Sequence, residues 1–501
     1  MDYFNTYNLK GALKKRAIRG GGVTVLSQAG RFCVQTITVI ILARLLGPEE
    51  FGLVAMVMAL GGFLTIFIDI GLTDAIIQNP EISQEQVSTL FWINIGITVI
   101  VVLIVVAFSP LLAWFYSERR LVNITILWST YLIFGALSTQ SIALLKRRML
   151  FAQNSANEIT AAVVSGLVAI YCAATGCSYW ALVFREISFA FCRSLGAWIL
   201  CRWRPGLPSL TGNIRGLLLF GRNATGSFIV GYFARNLDKV LVGWRYGADQ
   251  LGYYHRAYYL FVLPTTQLTE ALKNVATSTL SKLRSEPRRY ISYYIKGLYV
   301  ISFVGMPISF FFMVASEDLI LVLFGPQWEE SVGIFRTLAA GTGVWLVYST
   351  KYWLHASLGR SDRLIKWAFV DFLVIAAGVV IGLRFGPQGV ALAYTCALYL
   401  LTGFGLKYAG EPIGLKLVSV VSAVWKYFGA ALLAALVCWW LFGVWGSEMS
   451  RLGRLSLCFI VYSSSYIIFV LSLHRSFSPI KDMVAVIKEI FPKSNNATLD
   501  L

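Results

Sequence analysis

The sequence predicts an all-α integral membrane protein with about fourteen transmembrane helices, and three observations lead there. The chain is 57% hydrophobic and only 14% charged, with a mean hydropathy of +0.68, well beyond the apolar share of a soluble domain. Apolar stretches of about 20 residues, enough for a helix to cross a hydrocarbon core of about 30 Å, recur along nearly the whole length. These runs are continuous, whereas a membrane β-barrel alternates apolar and polar residues in segments of about 10.

Taken in order, the chain opens with Lys10, Lys14, Lys15, Arg16 and Arg19 ahead of the first apolar run. A signal peptide shares that feature, but the run is long and lacks a convincing cleavage site, so residues 1–20 read as a cytoplasmic amphipathic N-terminus before a retained span. Apolar runs punctuated by Gly, Pro and charge place the first six spans at roughly 22–45, 51–75, 87–112, 121–145, 155–174 and 179–201. The next six fall at 215–243, 249–280, 291–315, 330–355, 363–384 and 388–408. Two more follow at 424–445 and 453–473.

With the N-terminus in the cytoplasm, the even-numbered connections are cytoplasmic, and they carry the Lys and Arg that the positive-inside rule retains there. These are Lys146, Arg147 and Arg148, then Arg202 and Arg204, then Lys282, Arg284, Arg288 and Arg289. Arg360, Arg363, Lys366, Lys407 and Lys416 continue the pattern, while the odd connections hold Glu49, Glu50, Glu317, Asp318, Glu329 and Glu330. One cytoplasmic connection dissents: Asn79 to Gln86 contains no Lys or Arg. Both termini are expected in the cytoplasm.

Several function classes drop out. The formal charge of +18 is spread over short loops, not concentrated on a soluble face, so it argues for membrane topology and against nucleic acid. The eight cysteines lack metal-ligand spacing, and Cys33, Cys172, Cys192, Cys396, Cys438 and Cys458 fall inside spans as packing residues. No metal or cofactor is implied. No connection is long enough for an independent soluble domain, which disfavours an enzyme with an extramembrane catalytic domain.

The chain also repeats itself. Gly47-Pro48-Glu49-Glu50-Phe51-Gly52 recurs as Gly247-Ala248-Asp249-Gln250-Leu251-Gly252, each between two apolar runs. Glycine suits a left-handed helix end and the acidic residue suits the positive end of the next helix dipole. A second match in register pairs the segment from Gly176 to Leu182 with that from Gly386 to Leu392. Units of about six spans, an even number, enter the membrane in the same direction, giving a parallel repeat with the substrate path between its halves. The expected organisation is a six-helix lobe over 21–210, a second over 211–415, two additional spans over 416–474, and a cytoplasmic tail over 475–501.

Charged residues within spans are the functional candidates, because their insertion cost keeps them facing a bundle interior or a hydrated path. In the first span Thr24, Gln28, Arg31, Gln35 and Thr38 share one helix face, which either glues the bundle or lines a cavity where Arg31 meets an anion. Thr65, Asp69 and Thr73 share a face of the second span, and His255, Tyr259, Thr266, Thr269 and Lys273 share one of the eighth. Asp69, Asp238 and Glu270 are candidates for a coupling ion or proton, with structural pairing to an Arg as the competing role. The seventh span carries Arg222, Asn223, Arg235, Asp238 and Lys239, where a local ion pair competes with anion binding; the tenth adds Arg336, Lys351 and His355, with Arg336 placed to snorkel. The substrate-cavity set is therefore Gln28, Arg31, Gln35, Arg222, Arg235, Lys239, His255, Lys273 and Lys351. Its positive excess favours an anion such as phosphate or pyrophosphate over a cationic drug.

The stretches ARLLGPEEFGLVAMV from Ala43, DIGLTDAIIQNPEISQEQVSTLFWINIG from Asp69, NLDKVLVG from Asn236 and VLFGPQW from Val322 are where the chain resembles a known family. It is similar over nearly its whole length to the Wzx-type, colanic acid exporter-like polysaccharide transporters of the multidrug/oligosaccharidyl-lipid/polysaccharide exporter (MOP) superfamily. The resemblance implies two parallel MATE-like six-helix lobes around a central cavity, alternating access, and a polyprenyl-pyrophosphate-linked oligosaccharide flipped to the periplasmic leaflet for exopolysaccharide, capsule or O-antigen synthesis. A coupling proton or sodium ion, membrane lipid, and a polysaccharide polymerase with chain-length machinery are its expected partners.

Competing readings are a peptidoglycan-precursor flippase or drug/cation antiporter of the same superfamily, a membrane-embedded glycan polymerase, and a structural scaffold. The C-terminal segment sets Ile480, Met483, Val484, Ile487, Ile490 and Phe491 on one helical face, suited to the membrane surface or to packing on the protein.

Overall fold

The computed structural model describes residues 13–69, 82–208, 215–445 and 449–477, with isolated positions at 73, 76, 77, 79, 479, 481 and 483. Residues 1–12 of the N-terminal segment expected over 1–20, and most of the C-terminal face over 480–491, lie outside the described residues. The described residues form helices joined by short turns, with no strand among them.

The chain divides into two compact units, Met1–Gly252 and Tyr253–Leu501. In the first unit come α1 (Leu13–Leu45), α2 (Pro48–Gly61, continued by a 3-10 segment Gly62–Ile68), α3 (Gln84–Tyr116), α4 (Arg120–Arg147), α5 (Phe151–Ala174) and α6 (Trp180–Cys201). The helical stretch α7 (Arg215–Lys282) runs from this unit into the next and is broken at Gly247. The second unit continues with α8 (Pro287–Val314), α9 (Ser316–Leu323), α10 (Ser331–Ala339), α11 (Thr342–Ser349) and α12 (Lys351–Leu358). It ends with α13 (Ser361–Gly382), α14 (Gly386–Gly410), α15 (Leu417–Trp445) and α16 (Arg451–His474).

Nine helical stretches among the described residues are long and apolar enough to cross a membrane; Ser361–Ile413, which contains both α13 and α14, counts once. α6 falls outside that set while carrying Arg185, Glu186 and Arg193. The expected tenth span, 330–355, is three short helices, α10 to α12, in place of one.

Packing follows membrane rules. With no hydrophobic gain from leaving lipid, helices meet through small residues that let backbones approach. α5 buries Ala161, Ala162, Ser165, Gly166, Ala169 and Ala173, and α6 buries Ala181, Ala190, Ser194 and Ala197; these two helices pack together, with α5 also against α1. α15 buries a comparable face, Ala423, Ala430, Ala431, Ala434 and Ala435, and packs against α8 and α16. The large apolar residues go outward instead: Ile100, Leu103, Phe108 and Trp114 of α3 are exposed, as a lipid-facing surface requires. Many hydroxyls within helices bond back to the preceding turn, as Thr38 does to the Val34 carbonyl at 2.8 Å, which satisfies the donor inside its own helix.

The two additional helices are tied into the second unit. Arg454 at the start of α16 forms a bidentate pair with Asp318 of α9, and the Tyr466 hydroxyl donates to the Phe303 carbonyl at 2.8 Å. At one end of the first unit Arg120 joins Glu49 of α2 to Glu118 of the α3–α4 turn. The Arg120 hydrogen bond holds the Glu118 carboxyl below the usual carboxylate range.

The glycines of one matched pair share a conformation. Gly176 and Gly386, matched in the sequence, both adopt positive φ, 82° and 78°, immediately before α6 and at the start of α14. The other pair divides: Gly247 is at φ 81°, but Gly47 is at φ −85° and ψ 176°, an extended N-cap. The left-handed conformation expected at Gly47 is therefore absent, because its N–H is satisfied by the Glu50 carboxylate at 2.9 Å as the cap of α2. The two turns also touch each other reciprocally. A Cβ on Gly52 would collide with the backbone carbonyl of Ala248, and one on Gly252 with that of Pro48, so corresponding residues of the two copies meet across one close crossing.

That crossing gives a stability prediction. Gly52→Ala and Gly252→Ala each force the backbones apart, at a cost of about 1–3 kcal/mol. Both should lower the thermal unfolding midpoint in detergent, whereas Gly96→Ala, with nothing within 4 Å of an added Cβ, should not; equal behaviour of all three would contradict the crossing.

Candidate functional site

The polar stripe of α1 leads into a charged network inside the first unit. Arg31 reaches across to α5, where its NH1 lies 2.7 Å from Glu158 Oε2. The other oxygen of Glu158 accepts from Arg193 Nε of α6, also at 2.7 Å, so one carboxylate holds two guanidinium groups from two different helices. Asn157 strengthens the junction by donating to the Arg193 carbonyl at 2.9 Å. Two turns of α6 earlier, Arg185 and Glu186 pair at 2.8 Å.

Between these groups lies a cavity of about 220 Å³, lined by Arg31, Gln35, Tyr131, Arg185, Glu186 and Phe189, with Thr38 and Gly166 also on its wall. Gly166 matters there, since a Cβ would press on the Thr38 hydroxyl. Three guanidinium groups face two carboxylates in the network, leaving one positive charge in surplus. The Arg31 side chain keeps 42% of its surface accessible while Glu158 keeps 15%, so the cation is the member open to a ligand. The Arg31 guanidinium also sits 5.9 Å from the Phe189 ring centroid, an aromatic wall beside the charge. Chemically, the arrangement suits a group with several anionic oxygens, for which planar guanidinium donors are geometrically matched.

The other expected residues fall in separate places. Gln28 is exposed on α1, while Arg31 and Gln35 line the cavity. On α7, Arg235 is exposed, and the Lys239 ammonium, buried with Asp238, lies 3.2 Å from its carboxylate and donates to the Arg235 carbonyl at 2.8 Å. Asp69 accepts from the Thr73 N–H at 2.9 Å, a turn-capping role. In the second unit His255 Nδ1 is 3.2 Å from Arg256, the Lys273 ammonium lies 4.7 Å from the Tyr352 ring centroid, and Lys351 is ion-paired with Asp371. The side chains of Arg222 and Glu270 lie outside the described residues.

Sequence reasoning overlooked Glu158, Arg185, Glu186, Arg193 and Asp371. Each is a charge inside an expected span, so the rule that picked Arg31 would have found them all if applied to the fifth, sixth and eleventh spans.

Comparison with known proteins bears on the family and the fold. A family described as "Polysaccharide biosynthesis protein" matches residues 41–333. The succinoglycan biosynthesis transport protein ExoT of Rhizobium meliloti is 25% identical over 394 residues, 79% of this chain and 80% of that protein. The lipopolysaccharide biosynthesis protein WzxC of Escherichia coli is 24% identical over 390 residues, 76% of this chain and 78% of its own. Among solved structures, the inward closed conformation of the lipid II flippase MurJ superposes with a TM-score of 0.73 at 15% identity, covering 90% of this chain and 99% of that one. An inward-facing multidrug resistance transporter of the MATE family and MOP superfamily gives 0.59 at 13% identity, covering 78% and 98%. At such identities the likeness speaks to fold alone, and the fold is that of these helical transporters.

The shared carboxylate makes a testable asymmetry. Glu158→Gln strands two guanidinium groups in a partly enclosed site, at a cost of roughly 1–3 kcal/mol, between the exposed and buried limits for ion pairs. Arg31→Gln leaves Glu158 still paired with Arg193. Thermal unfolding in detergent should therefore fall further for Glu158→Gln; the reverse order would contradict the network.

Proposed function

The chain belongs to the polysaccharide biosynthesis protein family, and from that premise we propose that it translocates a lipid-linked polysaccharide repeat unit, carried on polyprenyl pyrophosphate, across the bacterial inner membrane. The observation that carries the reading is the cationic surplus of the Arg31–Glu158–Arg193 network, set within membrane helices and open to a cavity. A pyrophosphate is a compact anion that such a site can bind, while the lipid tail remains in the hydrocarbon.

In this reading about fourteen spans form two parallel six-helix lobes and two further helices, with both termini in the cytoplasm. The distribution of Lys and Arg over the connections supports that orientation. The recurrence of the positive-φ glycine at Gly176 and Gly386, and the reciprocal crossing of the two repeat turns, support duplication. Cargo enters from the cytoplasmic leaflet, its pyrophosphate is held by Arg31 at the cavity of the first unit with Gln35 contributing a hydrogen bond, and the lobes reopen toward the periplasm. ExoT and WzxC, named for succinoglycan transport and lipopolysaccharide biosynthesis, favour an exopolysaccharide or O-antigen cargo over a drug cation.

Reconstitution tests it. In proteoliposomes the wild type should flip a fluorescent polyprenyl-pyrophosphate oligosaccharide without extending the glycan. Arg31→Ala should slow flipping roughly ten- to a hundredfold, as expected for one lost charge-assisted hydrogen bond of about 1.5–3 kcal/mol, with protein yield changed far less. Equal losses of flipping and yield would make Arg31 structural, and glycan extension would point to a polymerase.

A further inference from the structure

The second unit contains a charged cluster separate from the cavity just described. Lys351, the first residue of α12, donates to Asp371 Oδ2, and the Tyr348 hydroxyl of α11 donates to Asp371 Oδ1. Trp367 Nε1 in turn donates to the Tyr348 oxygen at 2.8 Å. The Lys351 ammonium also sits 3.5 Å from the Tyr348 ring centroid. Two short helices, α11 and α12, thus converge on one carboxylate of α13.

Position within the fold singles that carboxylate out. Asp371 is the eleventh of the 22 residues of α13, at mid-helix. Across α8 and α10 to α14, the other carboxylate is Asp362, in the first turn of α13; Glu411 follows the end of α14. Side-chain exposure is 12% for Lys351 and 18% for Asp371, so the pair is enclosed but not sealed. Such a pair is weak as a stabilising device, because well-packed apolar residues in its place are commonly as stable. A titratable group at mid-membrane is instead a functional candidate by default.

The other charged and titratable groups around Asp371 come from α7, α8 and α12 to α14. His355, one turn along α12 from Lys351, is buried with Nε2 unpartnered among the described residues. Arg363 at the start of α13 is committed to Glu411 and to the Tyr408 carbonyl. On α14, Tyr408 stacks on Trp367 with centroids 5.2 Å apart, and Tyr394 lies in the same helix further toward its start. Tyr294 of α8 is bonded to Thr350 at 2.8 Å, and Lys273 of α7 rests over Tyr352. No second carboxylate among these groups competes for Lys351.

We propose that Asp371 is the proton-carrying group that couples transport to the proton gradient, with Lys351 its counter-ion in the deprotonated state. Protonation converts the carboxylate to the neutral acid and releases the Lys351 ammonium, which the Tyr348 ring face still accommodates as a cation–π contact. Deprotonation restores the ion pair and draws α12 and α13 together. The two arrangements give the second unit a proton-dependent choice of packing, which is the requirement for coupling. This inference rests on the transport reading above.

The test uses full-length protein in proteoliposomes containing a pH-sensitive dye, with a fluorescent polyprenyl-pyrophosphate oligosaccharide as cargo. For the wild type, an imposed pH gradient should change the rate of cargo movement and cargo should drive proton flux. Asp371→Asn and the apolar double substitution Lys351→Met with Asp371→Leu should cut cargo-linked proton flux at least about tenfold while gradient-independent cargo exchange persists; Asp371→Glu should retain proton flux. Wild-type cargo movement indifferent to the pH gradient, or responsive only to sodium, would overturn the proposal, as would cargo-linked proton flux in the double variant. Absence of any cargo movement in the wild type would instead bring down the transport reading, and this inference with it.

Discussion

A charge carried into a bilayer must bring its counter-charge with it, and in this protein three such partnerships join different helices. Arg31 of α1 and Arg193 of α6 converge on Glu158 of α5; Lys351 of α12 meets Asp371 of α13; Arg454 of α16 meets Asp318 of α9. Insertion of an unpaired charge costs several kcal/mol, so each pairing fixes which helices are neighbours and in what register. Small residues then set the closeness of approach, as on the Ala- and Ser-rich faces of α5 and α6. Where the charges balance, they build the bundle. At the Arg31 cavity they do not balance, and on that surplus rests the proposal of a binding site.

Much of the fold could be read from the sequence because the bilayer imposes one rule at every position. Apolar length gave the helices, and the chain breaks near the places marked by Gly: Gly47, Gly176, Gly247 and Gly386 all fall at helix boundaries or breaks. Local conformation was harder. Gly47 and Gly247 share a motif but not a φ, because a capping carboxylate at Glu50 settles the first turn while Gln250 stands at the corresponding position of the second. The region 330–355 has the composition of one span yet folds as three short helices. Its breaks, around Ala340 and Thr350, carry neither Pro nor a charge run to announce them.

The candidate site was half legible. A polar stripe at helical spacing revealed Arg31 and Gln35, since both sit on one face of one helix. Glu158, Arg185, Glu186 and Arg193 are isolated or adjacent charges on α5 and α6, with no stripe of their own, and the network becomes visible only when these two helices stand beside α1. Lys351 shows the opposite lesson. As a cation in a span it looked like a ligand for cargo, but its charge is held by a carboxylate twenty residues further along, and that long-range partner is invisible to periodicity.

The most direct test of the cationic cavity is the affinity of purified protein for polyprenyl pyrophosphate compared with neutral polyprenol of the same length. The account predicts tighter binding of the pyrophosphate, weakened by Arg185→Gln and Arg31→Gln, with polyprenol binding unchanged. Indistinguishable affinities for the two lipids, or variants that leave the pyrophosphate preference intact, would contradict it.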